Sequence, residues 1–304
     1  MAGPATSDDR ILFAVALRLA SAGVFASMNA LIKLAEAGGA HLADVLFFRQ
    51  TFALPIVTLW IAVGPGLGSI RTQRFGAHLT RTAMGLASMT FMFSTILLLP
   101  LAESTTLQFT LPIFATILGA LVLREPTGWH RWGAVLLGFV GVLIVTRPGG
   151  DGIAPLGIAT GLIAALLSAG VSILLRQIGK TESAATIVWW FSALSVPPLG
   201  IAFALFAQPH AMTTWLLLVA VGVTGGIAQL CMTASLHAGP VSVVVPMDYS
   251  ALIWATLYGW LLFGVFPDAA TFIGAPVIIA SGLYIVWREQ VRRRAKTDRA
   301  VAQA

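Results

Sequence analysis

The stretch Leu-Pro-Ile-Phe-Ala-Thr-Ile-Leu-Gly, from Leu111 to Gly119, recurs in related form as Ala-Leu-Ile-Trp-Ala-Thr-Leu-Tyr-Gly, from Ala251 to Gly259. The second copy starts 140 positions after the first, and the same offset aligns Pro100 with Pro240. At an offset of 141, Pro126 aligns with Pro267, Gly133 with Gly274 and Gly141 with Gly282. At an offset of 147, an earlier block aligns Ser21–Val24 with Ser168–Val171 and Lys33 with Lys180. The chain therefore consists of two homologous halves of about 145 residues each.

The composition of the 304 residues is that of a membrane protein. Hydrophobic residues make up 58% of the chain and charged residues only 10%, with a mean hydropathy of +0.89. A soluble domain is usually about one quarter charged. Apolar runs of about 20 residues, long enough to cross a bilayer, recur along the chain. Because these runs are continuous and do not alternate over about 10 residues, they favour a helical bundle over an outer-membrane barrel.

Gly- and Pro-rich turn signals divide the chain into ten predicted spans, five in each half. We expect residues 1–10 to form an N-terminal tail, residues 11–147 the first repeat, residues 154–288 the second repeat, and residues 289–304 a basic tail. The predicted spans are Ile11–Ala35, Leu42–Val63, Ala77–Leu99, Ala102–Leu123, Trp129–Val145, Ala154–Ile178, Ala184–Ala207, Met212–His237, Val241–Phe263 and Ala269–Val286.

The net charge of +6 and pI of about 10.2 are explained by topology, without a nucleic-acid partner. If the N-terminus is inside, fourteen Lys and Arg residues fall on the cytoplasmic side and three (Lys33, Arg49 and Arg147) on the outer side. This asymmetry predicts that both termini are cytoplasmic and that the chain lies in the cytoplasmic (inner) membrane. The N-terminus has no signal-peptide pattern, so the first apolar run is expected to remain as a helix.

An odd number of spans in each half has a direct consequence for the fold. The second half must enter the membrane upside down relative to the first, so the sequence predicts an all-α integral membrane protein with ten transmembrane helices arranged as two inverted five-helix repeats. Repeats of this kind are typical of secondary transporters, which bind their substrate near the midplane between the repeats and alternate by rocking.

Asp248 is an ionisable residue inside a predicted span, where such residues usually face the interior of the bundle. It follows Pro240 by eight residues, which places it roughly 12 Å into the membrane. Its repeat mate Gln108 follows Pro100 by eight residues and lies at the same depth from the opposite side. Inversion brings both side chains toward the middle. Asp248 either faces a translocation cavity or is a structural partner for Arg18, Arg81 or a neighbouring helix.

Three polar residues of the first two spans are further candidates. Asn29 and Lys33 lie four residues apart on one helical face, and Arg49 lies within the second span. We expect Asn29 to contact substrate, and Lys33 and Arg49 to lie near the outer mouth. There the two cations either extend to the outer interface or form a gate in which Arg49 pairs with Glu36 or Asp44.

Aromatic residues of the ninth span are the remaining candidates. Tyr249 lies beside Asp248, and Trp254 and Tyr258 share a helical face, with Trp254 near the midplane. These rings either form a stacking wall for a planar ligand or pack against neighbouring helices.

Motifs typical of enzymes do not occur in the sequence. The five His residues are scattered, and there is no HExxH, C-x-x-C, G-x-S-x-G or Walker phosphate loop. We therefore expect no catalytic residues, no metal and no cofactor. Uphill transport would then need a proton gradient, a counter-transported solute or a partner protein.

Several motifs resemble the EamA type of the drug/metabolite transporter superfamily, and the resemblance covers residues 11–288. It implies a secondary transporter with a central cavity between the repeats, most similar to the branch that contains S-adenosylmethionine and riboflavin carriers. The family usually has an acidic residue closing the fourth and ninth helices, whereas this chain has Glu125 in the first repeat and Val265 in the second. The motifs are Phe47-Phe48-Arg49, Leu123-Arg124-Glu125-Pro126, Trp129-His130-Arg131-Trp132-Gly133, Gly138-Phe139-Val140-Gly141, Val245-Pro246-Met247-Asp248-Tyr249-Ser250 and Leu262-Phe263-Gly264.

We therefore predict a secondary transporter that moves a small metabolite, such as an amino acid, S-adenosylmethionine or riboflavin, across the cytoplasmic membrane by alternating access. A non-transporting membrane receptor or partner protein, or an intramembrane enzyme, is the alternative. The sequence does not distinguish import from export, nor does it define the oligomeric state.

Overall fold

The computed structural model describes residues 7–122, 128–147, 154–206, 208–238 and 241–302. Within these ranges every regular element is helical. The α-helices are α1 (Ser7–Ala37), α2 (Leu42–Val63), α3 (Phe75–Leu98), α4 (Leu101–Gln108), α5 (Leu111–Leu121), α6 (Trp129–Thr146), α7 (Pro155–Ile178), α8 (Ala184–Phe206), α9 (Met212–Ala238), α10 (Val241–Val244), α11 (Ala251–Phe263) and α12 (Ala269–Ala302). Glu125 of the family motif lies outside the described residues.

Eight helical stretches of the described residues are long and apolar enough to cross a membrane. Seven of the predicted spans correspond to single stretches of this kind, and the fourth corresponds to α4 and α5 together. The fifth predicted span is a shorter apolar helix within α6, and the ninth is divided into short pieces. The all-helical membrane fold is therefore confirmed, whereas the count of ten spans stays a prediction.

The fourth and ninth segments are both interrupted near their middle. Helix α4 ends at Gln108 and α5 begins at Leu111, followed by Pro112, which has no N–H to continue the helical hydrogen bonds. In the ninth segment α10 gives way to a 3₁₀ turn over Val245–Ser250, which contains Asp248 and precedes α11. The two interruptions fall at equivalent positions of the repeat, so each half carries a broken helix.

The contacts between helices also show the equivalence of the two halves. The pair α1 and α9 is matched by α7 and α3, and the pair α2 and α9 is matched by α8 and α3. Helix α11 packs on α1 as α5 packs on α7, while α6 packs on α12 and α4 packs on α11. The contacts of α1 and α2 with α9, and of α1 with α11, therefore have counterparts in which the halves are interchanged.

Small residues allow the close approach of α6 and α12. A Cβ atom added at Gly274 would lie 2.8 Å from the carbonyl oxygen of Gly141, so a side chain at this position would force the helices apart. The Ser281 hydroxyl donates a hydrogen bond of 2.6 Å to the carbonyl of Ala134 in the same interface. Such contacts replace the hydrophobic driving force that is absent between helices in lipid.

An ion pair at the ends of α6 and α12 joins the two halves again. Arg147 ends α6 in the left-handed conformation and lies 3.3 Å from the carboxylate of Asp268, which precedes α12. Asp268 accepts a 2.7 Å hydrogen bond from the backbone N–H of Thr271 and so caps the helix. Desolvation alone would raise the pKa of Asp268, but the bonds from Thr271 and the charge of Arg147 outweigh it, and the pKa is lowered.

Candidate functional site

A cavity of about 320 Å³ lies between the two halves, bounded by α1, α3, α4, α9 and the 3₁₀ turn before α11. Both broken segments contribute to it, because the interruption after Gln108 and the turn containing Asp248 open onto the same space. The walls are mainly apolar, with a few polar groups. The lining residues are Arg18, Ser21, Ala22, Phe25, Asn29, Met92, Ile96, Ser104, Thr105, Gln108, Phe109, Leu111, Pro112, Met232, Asp248, Tyr249 and Ala251.

Four residues singled out in the sequence line this cavity together. Asn29 and Gln108 come from the first half, and Asp248 and Tyr249 come from the second. The structure thus brings together side chains that lie up to 220 positions apart in the sequence.

Asp248 forms an ion pair with Arg18 in the wall of the cavity. The Nε and Nη2 atoms of Arg18 donate to the two carboxylate oxygens of Asp248, each at 2.5 Å. The Arg18 side chain is only 7% exposed, whereas that of Asp248 is 43% exposed. Both alternatives predicted for Asp248 therefore apply: it pairs with Arg18, and its carboxylate still faces the cavity.

The two amide side chains of the cavity have spare hydrogen-bonding capacity. Asn29 Oδ1 and Gln108 Nε2 are buried and have no hydrogen-bond partner in the described part of the chain. Buried polar atoms are normally paired, and leaving one unpaired costs about 1–3 kcal/mol. A modest rotation of either amide toward a solute in the cavity would supply the missing bond.

Tyr249 occupies the contact between the halves. Its ring packs edge-on against Phe109, with centroids 4.8 Å apart and planes at 69°. Its hydroxyl lies directly against Gly282 of α12, where any side chain would collide with it. The ring is thereby held at the cavity wall by both of these neighbours.

Trp254 and Tyr258 are stacked on each other but do not line the cavity. Their ring centroids are 6.4 Å apart with planes at 27°. Trp254 packs against Gly23 of α1 and is 38% exposed on the surface of the bundle. The hydroxyl of Tyr258 hydrogen-bonds to that of Ser27 at 2.8 Å. In this conformation both rings pack between α11 and α1. They therefore follow the second of the two alternatives, packing against a neighbouring helix.

Lys33 lies one helical turn beyond Asn29 in α1 and is held by backbone carbonyls. Its ammonium donates to the carbonyl of Ile96 at 3.0 Å and to that of Leu99 at 2.6 Å. It lines a separate pocket of about 210 Å³ with Pro100 and Phe263, among others. Lys33 therefore ties α1 to the end of α3 in this conformation.

Arg49 is buried between helices, with only 8% of the residue exposed. Its Nη1 donates to Gln50 Oε1 at 2.7 Å. The predicted partners are engaged elsewhere or lie apart: Asp44 binds His210 at 3.0 Å, and Arg49 makes no hydrogen bond to Glu36. The alternative in which Arg49 pairs with either acid is therefore wrong, and its burial among the helices also contradicts extension to the outer interface.

The sequence did not single out most of the lining. Its other members are apolar or small residues of ordinary transmembrane helices, which no sequence signal separates from packing residues. They include Ser21, Phe25, Met92, Ile96, Ser104, Thr105 and Met232.

Comparison with known proteins identifies relatives along nearly the whole chain. The model of the EamA-like transporter family matches residues 12–147 and again residues 155–287. The chain is similar to a riboflavin transporter of Vibrio cholerae, 30% identical over 92% of this chain and 95% of that one. It is also similar to an S-adenosylmethionine uptake transporter of Rickettsia bellii, 26% identical over 82% of this chain and 85% of that one. A crystal structure of a protein 22% identical in sequence superposes with a TM-score of 0.58 over 92% of this chain and 98% of that chain, which shows a shared fold.

Proposed function

The chain belongs to the EamA-like transporter family, and we propose that it is a secondary transporter that carries a small metabolite through the central cavity by alternating access. One observation carries the proposal. The cavity lies at the junction of the halves, and two of its polar groups come from the two broken segments at equivalent positions, Gln108 in one and Asp248 in the other. This is the arrangement by which inverted-repeat transporters bind solutes near the midplane.

The ten-span inverted repeat is part of this proposal. The eight long helices, together with α6 and the segmented stretch from α10 to α11, make ten crossings. The exchange-symmetric helix contacts and the double family match support two inverted repeats, residues 11–147 and 154–288. The Lys and Arg asymmetry supports cytoplasmic locations for both termini, and the bacterial relatives support the cytoplasmic membrane.

The cavity favours a solute with a large apolar body and a few polar groups. Phe25, Phe109 and Tyr249 supply aromatic surface, and Asn29 and Gln108 supply amide donors and acceptors. Riboflavin, the substrate named for the relative in Vibrio cholerae, fits this description and is the first solute to test. S-adenosylmethionine is the second, because Asp248 offers a carboxylate to a cationic solute.

The Arg18–Asp248 pair is the proposed coupling element. It joins α1 of the first half to the broken segment of the second half, so a rocking motion of one half against the other changes its geometry. A cationic group of the solute, or a proton on Asp248, would compete with Arg18 for the carboxylate. Either event would loosen the connection and favour the opposite-facing state.

Flux into proteoliposomes tests the proposal. Purified protein is reconstituted, and uptake of labelled riboflavin and S-adenosylmethionine is measured with and without a pH gradient and with unlabelled solute inside. Saturable uptake that the variant Asn29→Ala reduces supports transport through this cavity. Absence of saturable flux for a broad metabolite panel would favour the receptor alternative, and chemical conversion of the solute would favour an enzyme.

A further inference from the structure

We propose that Arg49 and Arg81 form an anion-binding site, distinct from the central cavity, that takes a carboxylate or phosphate group. The site lies where α2 and α3 meet α8 and α9. It goes beyond the proposed function, since neither arginine lines the central cavity and the inference does not depend on which solute occupies that cavity.

The two arginines lie on neighbouring helices, and each guanidinium lies against a helix of the second half. Arg49 is the eighth residue of α2 and Arg81 is the seventh residue of α3, and they lie close enough for their charges to repel. Arg81 stacks on Phe191 of α8, with its Cζ 3.7 Å from the ring centroid. Glycines leave room for both groups: a Cβ at Gly85 would lie 2.6 Å from Arg81 Nη1, and one at Gly225 would lie 3.4 Å from Arg49 Nε.

Several hydrogen-bond donors of α2 and α3 lack acceptors among the residues that the structure describes. The buried atoms without a partner include Arg49 Nε, Gln50 Nε2, Arg81 Nε and Nη1, and the hydroxyl of Thr82. Arg49 is 8% exposed, Gln50 is fully buried and Thr82 is 3% exposed. All of these atoms can donate, and the acceptor Gln50 Oε1 already binds Arg49. A ligand that complements them must therefore be rich in acceptors.

The acids of the described chain are placed elsewhere. Six acids have side chains that the structure describes, and five of them are bound to other groups, while Glu36 lies near Lys33. Asp44 binds His210, Glu103 binds Thr271, Glu182 binds Thr72, Asp248 binds Arg18 and Asp268 binds Arg147. The other six acids of the sequence, at positions 8, 9, 125, 151, 289 and 298, belong to none of the eight membrane-spanning stretches found among the described residues. Within the spans, the arginine pair thus has no carboxylate of the protein to balance it.

Electrostatics requires that this charge be balanced. A guanidinium stays protonated in proteins, and a buried charge is strongly unfavourable unless it is paired. The cation–π contact with Phe191 covers one face of Arg81 and supplies part of the compensation. Two guanidinium groups with free N–H donors match the planar oxygens of a carboxylate or the oxygens of a phosphate, which arginine binds bidentately.

Thermal unfolding of the purified protein tests the site without any transport assay. In Tris chloride buffer and uncharged detergent, inorganic phosphate and succinate should each raise the Tm by on the order of 3 °C or more at saturation. Succinamide, which has the shape of succinate without its charges, should not. Arg49→Gln and Arg81→Gln should abolish the shift, whereas Arg74→Gln, which removes an exposed arginine at the start of the same helix α3, should leave it unchanged.

A second variant tests the charge balance directly. Gln50→Glu places a carboxylate within hydrogen-bond distance of Arg49 with almost no change in shape. We expect its Tm without added anion to exceed that of the natural protein by several degrees, and we expect it to lose the response to phosphate. Phosphatidylglycerol added in place of phosphate distinguishes a lipid source, since a shift with this lipid alone assigns the site to a lipid phosphate.

Two results would overturn the inference. One is a Gln50→Glu variant less stable than the natural protein, and the other is a Tm that neither phosphate, succinate nor phosphatidylglycerol raises. Neither result bears on flux through the central cavity, so the failure of this site and the failure of the proposed function are separable.

Discussion

Phe109 and Tyr249 occupy equivalent positions in the two halves, and their rings touch edge to face with centroids 4.8 Å apart. Two residues related by a pseudo-two-fold axis can touch only where the axis passes between them. The contact therefore places the proposed axis at the wall of the cavity, beside Gln108 and Asp248. Residues that fix these rings are expected to control both the shape of the cavity and its exchange between states.

Gly282→Ala should impair transport through Tyr249. The added methyl group would collide with the Tyr249 hydroxyl, so the ring would move off Phe109 and into the cavity. We expect the KM for the transported solute to rise about tenfold, which corresponds to roughly 1.4 kcal/mol. Because the colliding atom is the hydroxyl, the double variant Gly282→Ala/Tyr249→Phe should recover most of the loss. A double variant no better than Gly282→Ala alone would contradict this account.

Asp248→Asn should lower stability as well as transport, because it leaves the buried guanidinium of Arg18 without its partner. We expect a loss of about 1–3 kcal/mol in the free energy of unfolding, below the range for fully buried pairs, since the Asp248 side chain is 43% exposed. The double variant Arg18→Gln/Asp248→Asn should be more stable than Asp248→Asn. Denaturation in detergent measures stability and proteoliposome flux measures function. Normal flux in Asp248→Asn would remove this carboxylate from the mechanism.

Tyr258→Phe should affect stability and leave substrate affinity unchanged. The variant loses the hydrogen bond between the Tyr258 and Ser27 hydroxyls, at a cost of about 1 kcal/mol. The ring does not line the cavity, so the KM for transport should stay within about twofold of the natural value. Tyr249→Phe provides the comparison within the cavity. A tenfold rise in KM for Tyr258→Phe would show that this residue contacts the solute in another state.

Asp268→Ala should destabilise the protein at neutral pH by about 1 kcal/mol through loss of the α12 cap. The pKa of Asp268 is lower in the folded protein than in the unfolded chain, so its contribution is fully present above the unfolded pKa. It is lost as the pH falls through the folded pKa. The difference in stability between variant and natural protein should therefore shrink as the pH falls below the unfolded pKa of about 3.9, and reach zero below the folded pKa. A difference that is constant from pH 7 to pH 3 would mean that the carboxylate charge plays no part.

Composition predicted only the class of protein, whereas the internal repeat and the polar residues within the spans predicted part of the candidate site. Pro100 and Pro240 located Gln108 and Asp248 at equivalent depths, and the structure places both in one cavity. Helical spacing correctly predicted that Trp254 and Tyr258 share one face of their helix. It did not predict whether that face points to the cavity or to α1, because periodicity shows which residues are neighbours on a helix and not what the helix packs against.

Other features had no sequence signal. Arg81 lies near the start of its helix, where a cation normally extends to the interface. The burial of its Nε and Nη1 atoms depends on Phe191 and Gly85, which only the packing of α3 and α8 reveals. Arg49 was predicted near the outer mouth, either extending to the interface or pairing with an acid, but it is buried, and the carboxylate of Asp44 is taken by His210, more than 160 positions away. Pairings of this length are decided by the tertiary fold.

Cysteine accessibility tests alternating access most directly. Cys231 is the single cysteine of the chain, so Cys231→Ser gives a background in which Thr105→Cys places one thiol in the cavity wall. Right-side-out and inside-out vesicles are treated with a membrane-impermeant maleimide, and labelling is followed with and without the transported solute. The account predicts labelling from both faces of the membrane, with the solute slowing both reactions. Labelling from one face alone under every condition would contradict it.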